Sequence, residues 1–188
     1  MIRAIAVGVL AALVGGCVGG PRPVDVASMP DPELTKIATA FDREVERLAS
    51  ADDAVWHTGW GGNIIVNALG NAAGSAHIGL CHEWRDAVYR GVVFDVRRAG
   101  WNCGGIVINR GTRQEHHAVL VARPDLGTDA LLPVPPTAGA YVLDAWRRGS
   151  ADIYRLADWI ELPLLIETPP ELIDMRDQLG GNTHTIAR

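Results

Sequence analysis

Between residues 31 and 50 the apolar positions recur at spacings of three and four. Leu34, Ile37, Ala38, Phe41, Val45 and Leu48 fall on one face of a helix, so the pattern predicts a helix that packs on something. Asp31 can cap it, Pro32 fits its first turn, and Glu33 faces the positive end of its dipole. The pattern fades at "ASADD". The following stretch, up to Gly79, keeps no steady period; Trp60-Gly61-Gly62 interrupts it, and Ile64, Ile65, Ala68 and Leu69 suggest a short helix. A second strong helical pattern starts at Cys81 and continues through Trp84, Ala87 and Val88 to Val92 or Val93.

The second half changes period. "GGIVINRG", "HHAVLVARP" and "AYVLDAWRRG" are short, rich in β-branched or apolar residues, and bounded by Gly or Pro, which predicts three strands as antiparallel neighbours. "RLADWIELPLLIE" fits a further helix or strand, and "PPELIDMRDQLGG" a short terminal helix with a glycine stop. Helices first and strands later, without βαβ alternation, give an α+β fold.

The N-terminus reads as a targeting segment. "MIR" is a short basic start, and the apolar run after it is too short to span a bilayer as a helix. It ends in Val14-Gly15-Gly16-Cys17, which resembles a bacterial lipoprotein signal, although such signals usually carry Leu where Val14 stands. The resemblance implies a signal peptide over 1–16, a lipid on Cys17, and a membrane partner reached through that lipid. Val18 after the cysteine fits the periplasmic face of the outer membrane. A plain secretory signal is the alternative, and either one takes the chain out of the cytoplasm. Residues 17–30, rich in Gly and Pro, read as a flexible tether, leaving 31–188 as a single domain. Composition adds little: 48% hydrophobic and 21% charged residues suit a folded globular chain. A net charge of −5 gives nucleic acid no basic face, so no such partner is expected.

Three chemical residues lie in a telling order: Cys81 at a helix start, His117 on a strand, and Asp144 on the next strand. A helix N-terminus favours a thiolate. An imidazole can take the thiol proton and return it to a leaving amine. A carboxylate on the far ring nitrogen fixes the tautomer. At these residues the chain resembles the transglutaminase-like branch of the papain-like cysteine hydrolases. The residues that carry it are Gly79, Cys81, Glu83 and Trp84, then His117-Ala118-Val119, then Asp144-Ala145-Trp146, within roughly 60–150. The resemblance implies a papain/transglutaminase-like fold, with the nucleophile helix packed on a small antiparallel sheet. It also implies acyl transfer through a thioester on Cys81, His117 and Asp144, acting on a peptide or protein of the envelope, with no metal or cofactor. One oxyanion donor would be the Cys81 N–H. The family's second donor lies upstream, where no Gln is present; Asn71 is the candidate, with Asn67 and His77 as alternatives.

Other readings stay open at this point. Cys81 can pair with Cys103, the other cysteine of the domain, in an oxidising compartment, as a non-catalytic lipoprotein would. A peptidoglycan endopeptidase of the NlpC/P60 kind also sets a Cys helix before a His strand, but its third group is often a second His. His116 and His117 are adjacent and point to opposite faces of a strand, so either one can be the base. His82 reads as a surface residue near the cysteine, Glu83 and Asp86 as solvated charges, and Trp84, Trp101 and Trp146 as core, with Trp146 a possible cleft wall. His77, Cys81, His82, Cys103 and His116 have no standard zinc spacing. Asp144 can also pair with Arg147 or Arg148.

Overall fold

A computed structural model describes residues 21–28, 31–50, 54–56, 58–59, 76–126, 132, 138–163 and 165–179. The long first helix, α1 (Pro32–Ala49), starts where Asp31 accepts hydrogen bonds from the backbone of Glu33 and Leu34. It buries Leu34, Ile37, Phe41, Val45 and Leu48, as its periodicity requires. The second helix, α2 (Cys81–Arg98), runs further than Val93, because Val96 continues the buried face set by Trp84, Val88, Val92 and Val93. It packs on α1, and the contact is close because Gly91 has no side chain: a Cβ there would lie 2.2 Å from the Glu44 carboxyl carbon.

A short parallel pair, β1 (Ala54–Trp56) with β2 (Ala76–Ile78), brings the chain to α2. The main sheet then forms as an antiparallel meander of β3 (Asn102–Ile108), β4 (His116–Ala122), β5 (Ala140–Asp144) and β6 (Asp152–Arg155). The last strand, β7 (Glu171–Ile173), returns to the free edge of β3, giving the order β6-β5-β4-β3-β7. The fold is thus α+β, with three strands where the sequence pattern placed them. Two segments differ. "DIYR" forms β6, a strand not expected there, while "RLADWIELPLLIE" gives a short helix, α3 (Leu156–Ile160), one of the two forms it fits. "PPELIDMRDQLGG" is not a helix throughout: Glu171–Ile173 is a strand and only Arg176–Leu179 turns helically. The exposed backbone edge at Gly105–Val107 satisfies the peptide groups of Glu171–Ile173, which outweighs their weak helical period.

β4 is buried on both faces. Val119 and Val121 meet α2 and α1 in one core, while Ala118, Leu120 and Ala122 meet Leu156 and Trp159 of α3 in a second. The supposed tether is partly docked: the Val24 N–H donates to the Ile153 oxygen at 2.7 Å, and Val24 and Val26 pack against the first core. The expected short helix at Ile64–Leu69 and the signal peptide with Cys17 lie outside the described residues.

The chain between α3 and β7 is pinned by Asn109, which follows β3 and is fully buried in the left-handed region at φ 57°. Its amide donates to the Leu165 oxygen at 2.8 Å, and its side-chain oxygen accepts from Glu167 N at 2.7 Å and Thr168 N at 3.1 Å. Glycine would relieve backbone strain of about 1 kcal/mol but remove three hydrogen bonds worth about 1 kcal/mol each. Asn109→Gly is therefore expected to lower stability by about 2 kcal/mol in urea titration; a stabilised variant would show that strain dominates.

Candidate active site

Cys81 occupies the first position of α2. The turn before it is fixed from both sides. Trp146 Nε1 donates to the Gly79 oxygen at 2.6 Å, and Glu83 Oε2 accepts from the backbone of Gly79 at 3.1 Å and Leu80 at 2.9 Å. Glu83 is therefore a helix cap, not the solvated charge its position suggested. The thiol donates to the backbone oxygen of Glu115 at 3.8 Å, and the His117 backbone N–H points at the sulfur. These contacts fall on the two residues that flank His116.

Burial pushes the Cys81 thiol up to about 11, and the charges of Glu115 and Asp144 add to the rise. The N–H groups of His117 and His82 pull the other way, but less strongly. A lowered thiol, as expected at a helix start, is not found. The helix end is present, but desolvation outweighs it, so the resting sulfur carries its proton.

The adjacent histidines divide between the faces of β4. His116 Nε2 lies 2.7 Å from Asp144 Oδ2, with both side chains buried. A carboxylate only accepts, so Nε2 carries a proton. The ring packs against Trp146, at 5.0 Å between centroids, and Trp159, at 5.4 Å, tilted to both. Asp144 Oδ2 also accepts from Trp159 Nε1 at 2.9 Å and Arg147 Nε at 3.2 Å. Burial alone would raise the Asp144 carboxyl, but His116, then Arg147 and Trp159, bring it down to about 2.

His117 lies on the helix face. Arg85 donates to its Nδ1 at 2.6 Å, and its Nε2–H donates to Glu115 Oε1 at 2.5 Å. Burial brings the His117 imidazole down to about 4; the Glu115 hydrogen bond opposes the fall and the Arg85 charge assists it. Each histidine thus donates from Nε2 to a carboxylate. In His117 the bare nitrogen is occupied by a guanidinium. In His116 Nδ1 is buried and without a hydrogen-bond partner, as is Asp144 Oδ1. Two unsatisfied buried atoms in one network cost about 1–3 kcal/mol each, and such a cost persists where a site has a use for the open atom.

The geometry corrects the expected pairing. Asp144 meets His116 and not His117, because β4 and β5 pair Val119 with Leu143; the same register sets Asp144 opposite Ala118, on His116's face. Arg147 joins that carboxylate as anticipated, but beside His116 rather than instead of it. The Cys81–Cys103 disulfide is absent and both thiols are free. Cys103 lies on β3 opposite Val121, whereas the Cys81 sulfur sits before the other end of β4. Asn71 and Asn67 lie outside the described residues, as does the His77 side chain. Sequence reasoning missed Arg85, Glu115 and Trp159. The i, i+4 step from Cys81 to Arg85 was the only signal available for the first. Among the described residues no cluster of three His, Cys, Asp or Glu side chains suits a metal ion. Comparison with family models, curated proteins and solved structures finds no match.

An imidazole held at about 4 when folded, against 6.5 ordinarily, makes stability depend on pH. The unfolded chain takes up the proton first, so this contribution is full above pH 6.5 and is lost as pH falls towards about 4. The difference corresponds to about 3 kcal/mol. Urea titrations between pH 7 and 4 should show a steeper loss for the native chain than for His117→Gln; equal slopes would rule out a buried neutral imidazole.

Proposed function

We propose that this protein is a cysteine-dependent hydrolase of amide or peptide bonds, with the site arrangement of the transglutaminase-like and papain-like enzymes. Cys81 is its nucleophile, His116 its base and acid, and Asp144 the group that orients the histidine. The observation that carries this reading is the open, buried Nδ1 of His116, backed by Asp144 on Nε2 and flanked by two backbone contacts to the Cys81 sulfur.

In this mechanism His116 rests as the neutral Nε2–H ring beside a protonated Cys81 thiol. As the sulfur attacks the substrate carbonyl carbon, its proton passes to His116 Nδ1, and Asp144 stabilises the imidazolium on the opposite nitrogen. The negative charge on the former carbonyl oxygen is met by the N–H of Cys81, which the start of α2 leaves free of an intrahelical partner. Collapse breaks the C–N bond, and the Nδ1 proton goes to the departing amine. Water, deprotonated by the same nitrogen, then attacks the thioester carbon and releases the acid and the thiol. Because the thiol lies high, the pair acts by general-base attack and not as a preformed thiolate.

The remaining parts of the reading rest on the sequence. Lipidation of Cys17 would place the domain in the bacterial envelope, with a peptide or protein there as substrate. The carboxylate partner of His116 favours this class over the NlpC/P60 endopeptidases, and the free cysteines weigh against a disulfide-bonded lipoprotein without activity.

Iodoacetamide labelling at pH 7, read by peptide mass spectrometry, tests the assignment. Cys81 should react before Cys103, whose thiol burial drives up to about 12. His116→Ala should slow Cys81 at least about tenfold and leave Cys103 unaffected. A Cys81 rate indifferent to His116 would remove the base from the mechanism. In a peptidase assay on the full chain, Asp144→Asn should lower kcat by about 100-fold to 10,000-fold, whereas full activity in that variant would exclude the orienting role.

A further inference from the structure

The side chains of Arg85, His117 and Glu115 form a continuous bonded line from the nucleophile helix to the start of β4. Arg85 lies one turn after Cys81 and is buried, with its charge balanced by Asp86 at 2.6 Å. It donates to His117 Nδ1, and His117 Nε2–H donates to Glu115. Glu115 also accepts from the Gly111 backbone at 2.6 Å, which closes the loop leading into β4. The same two strand residues present their backbone to the Cys81 sulfur: the Glu115 oxygen accepts from the thiol, and the His117 N–H faces it. The line therefore ties together the helix that carries the sulfur and the backbone on both sides of His116.

Resting on the assignment of His116 as base, we propose that His117 is a positioning residue: with Arg85 and Glu115 it fixes the distance between the Cys81 sulfur and His116 Nδ1. The partners explain why a neutral histidine serves here. A guanidinium can only donate and a carboxylate can only accept, so the link between them must accept on one side and donate on the other. Neutral imidazole does both across a rigid ring, and Gln does both with a more flexible side chain. A doubly protonated ring would lose the Arg85 bond and face a like charge. Leucine fills the space and makes neither bond. The loss should be kinetic, because His116 and Asp144 lie on the opposite face of β4 and keep their own bond.

A double-mutant cycle on the Cys81 alkylation rate at pH 7 tests this, with thermal melting as the control for folding. His117→Leu should slow Cys81 about tenfold to 100-fold in the native background, yet cause no further slowing on top of His116→Ala. His117→Gln should recover most of the loss. Glu115→Ala, at a partly exposed side chain, should show the same dependence on His116 if the leucine variant does not fold. Equal slowing in both backgrounds, or no slowing in either, overturns the proposal, since a purely structural role would lower the melting temperature without requiring His116. If His116→Ala alone leaves the rate unchanged, the hydrolase reading falls first and takes this proposal with it.

Discussion

A fully buried carboxylate has to find donors. Asp144 finds three on a single oxygen: the His116 ring, the Trp159 indole and the Arg147 guanidinium. That requirement organises the candidate site. It selects the face of β4 that matters, draws the Nε2–H of His116 to it, and fixes where α3 must lie for Trp159 to reach the same atom. The ring then packs against Trp159 and Trp146, and the Trp146 indole in turn holds the Gly79 oxygen at the approach to Cys81. From Asp144 to the sulfur, each group is placed by the one before it.

The packing beneath explains how a domain of this size holds such a site. α2 is buried along a face from Trp84 to Val96, against β3 and β4 on one side and α1 on the other. Gly91 allows α1 to approach closely, so the helix has little freedom to slide along the sheet. On the opposite face α3 covers β4 through Leu156 and Trp159. Both layers meet at the start of β4, where two adjacent histidines point into different environments. One is closed off by Arg85 and Glu115; the other keeps an Nδ1 without a hydrogen-bond partner. Burial affects the residues there differently. It raises the thiol, lowers His117, and opposes but does not prevent ionisation of Asp144.

Much of this architecture was legible in the sequence. The helix at Leu34–Leu48, the helix opening at Cys81 and the three central strands follow from period and composition alone. The order of Cys, His and Asp was also readable, but the choice between His116 and His117 was not. β4 is apolar on both faces, so it has no alternation from which to read orientation, and the chain of 17 residues between β4 and β5 hides the register. A slip of one residue would have exchanged the two histidines. β6 and β7 were missed for a related reason. Each is short, and its pairing comes from the edge it meets rather than from its own sequence. The fate of Cys81 and Cys103 depended on tertiary distance, which two isolated cysteines do not encode.

The central claim is that Asp144 holds His116 with a bare Nδ1 available to the Cys81 thiol. Nitrogen-15 NMR of the histidine-labelled protein at pH 7, with His116 assigned through a His116→Gln variant, measures this directly. The account predicts the Nε2–H tautomer, with a non-protonated Nδ1 resonance that shifts when Cys81 is alkylated. A proton resident on Nδ1, or an Nδ1 signal indifferent to modification of the sulfur, would contradict it.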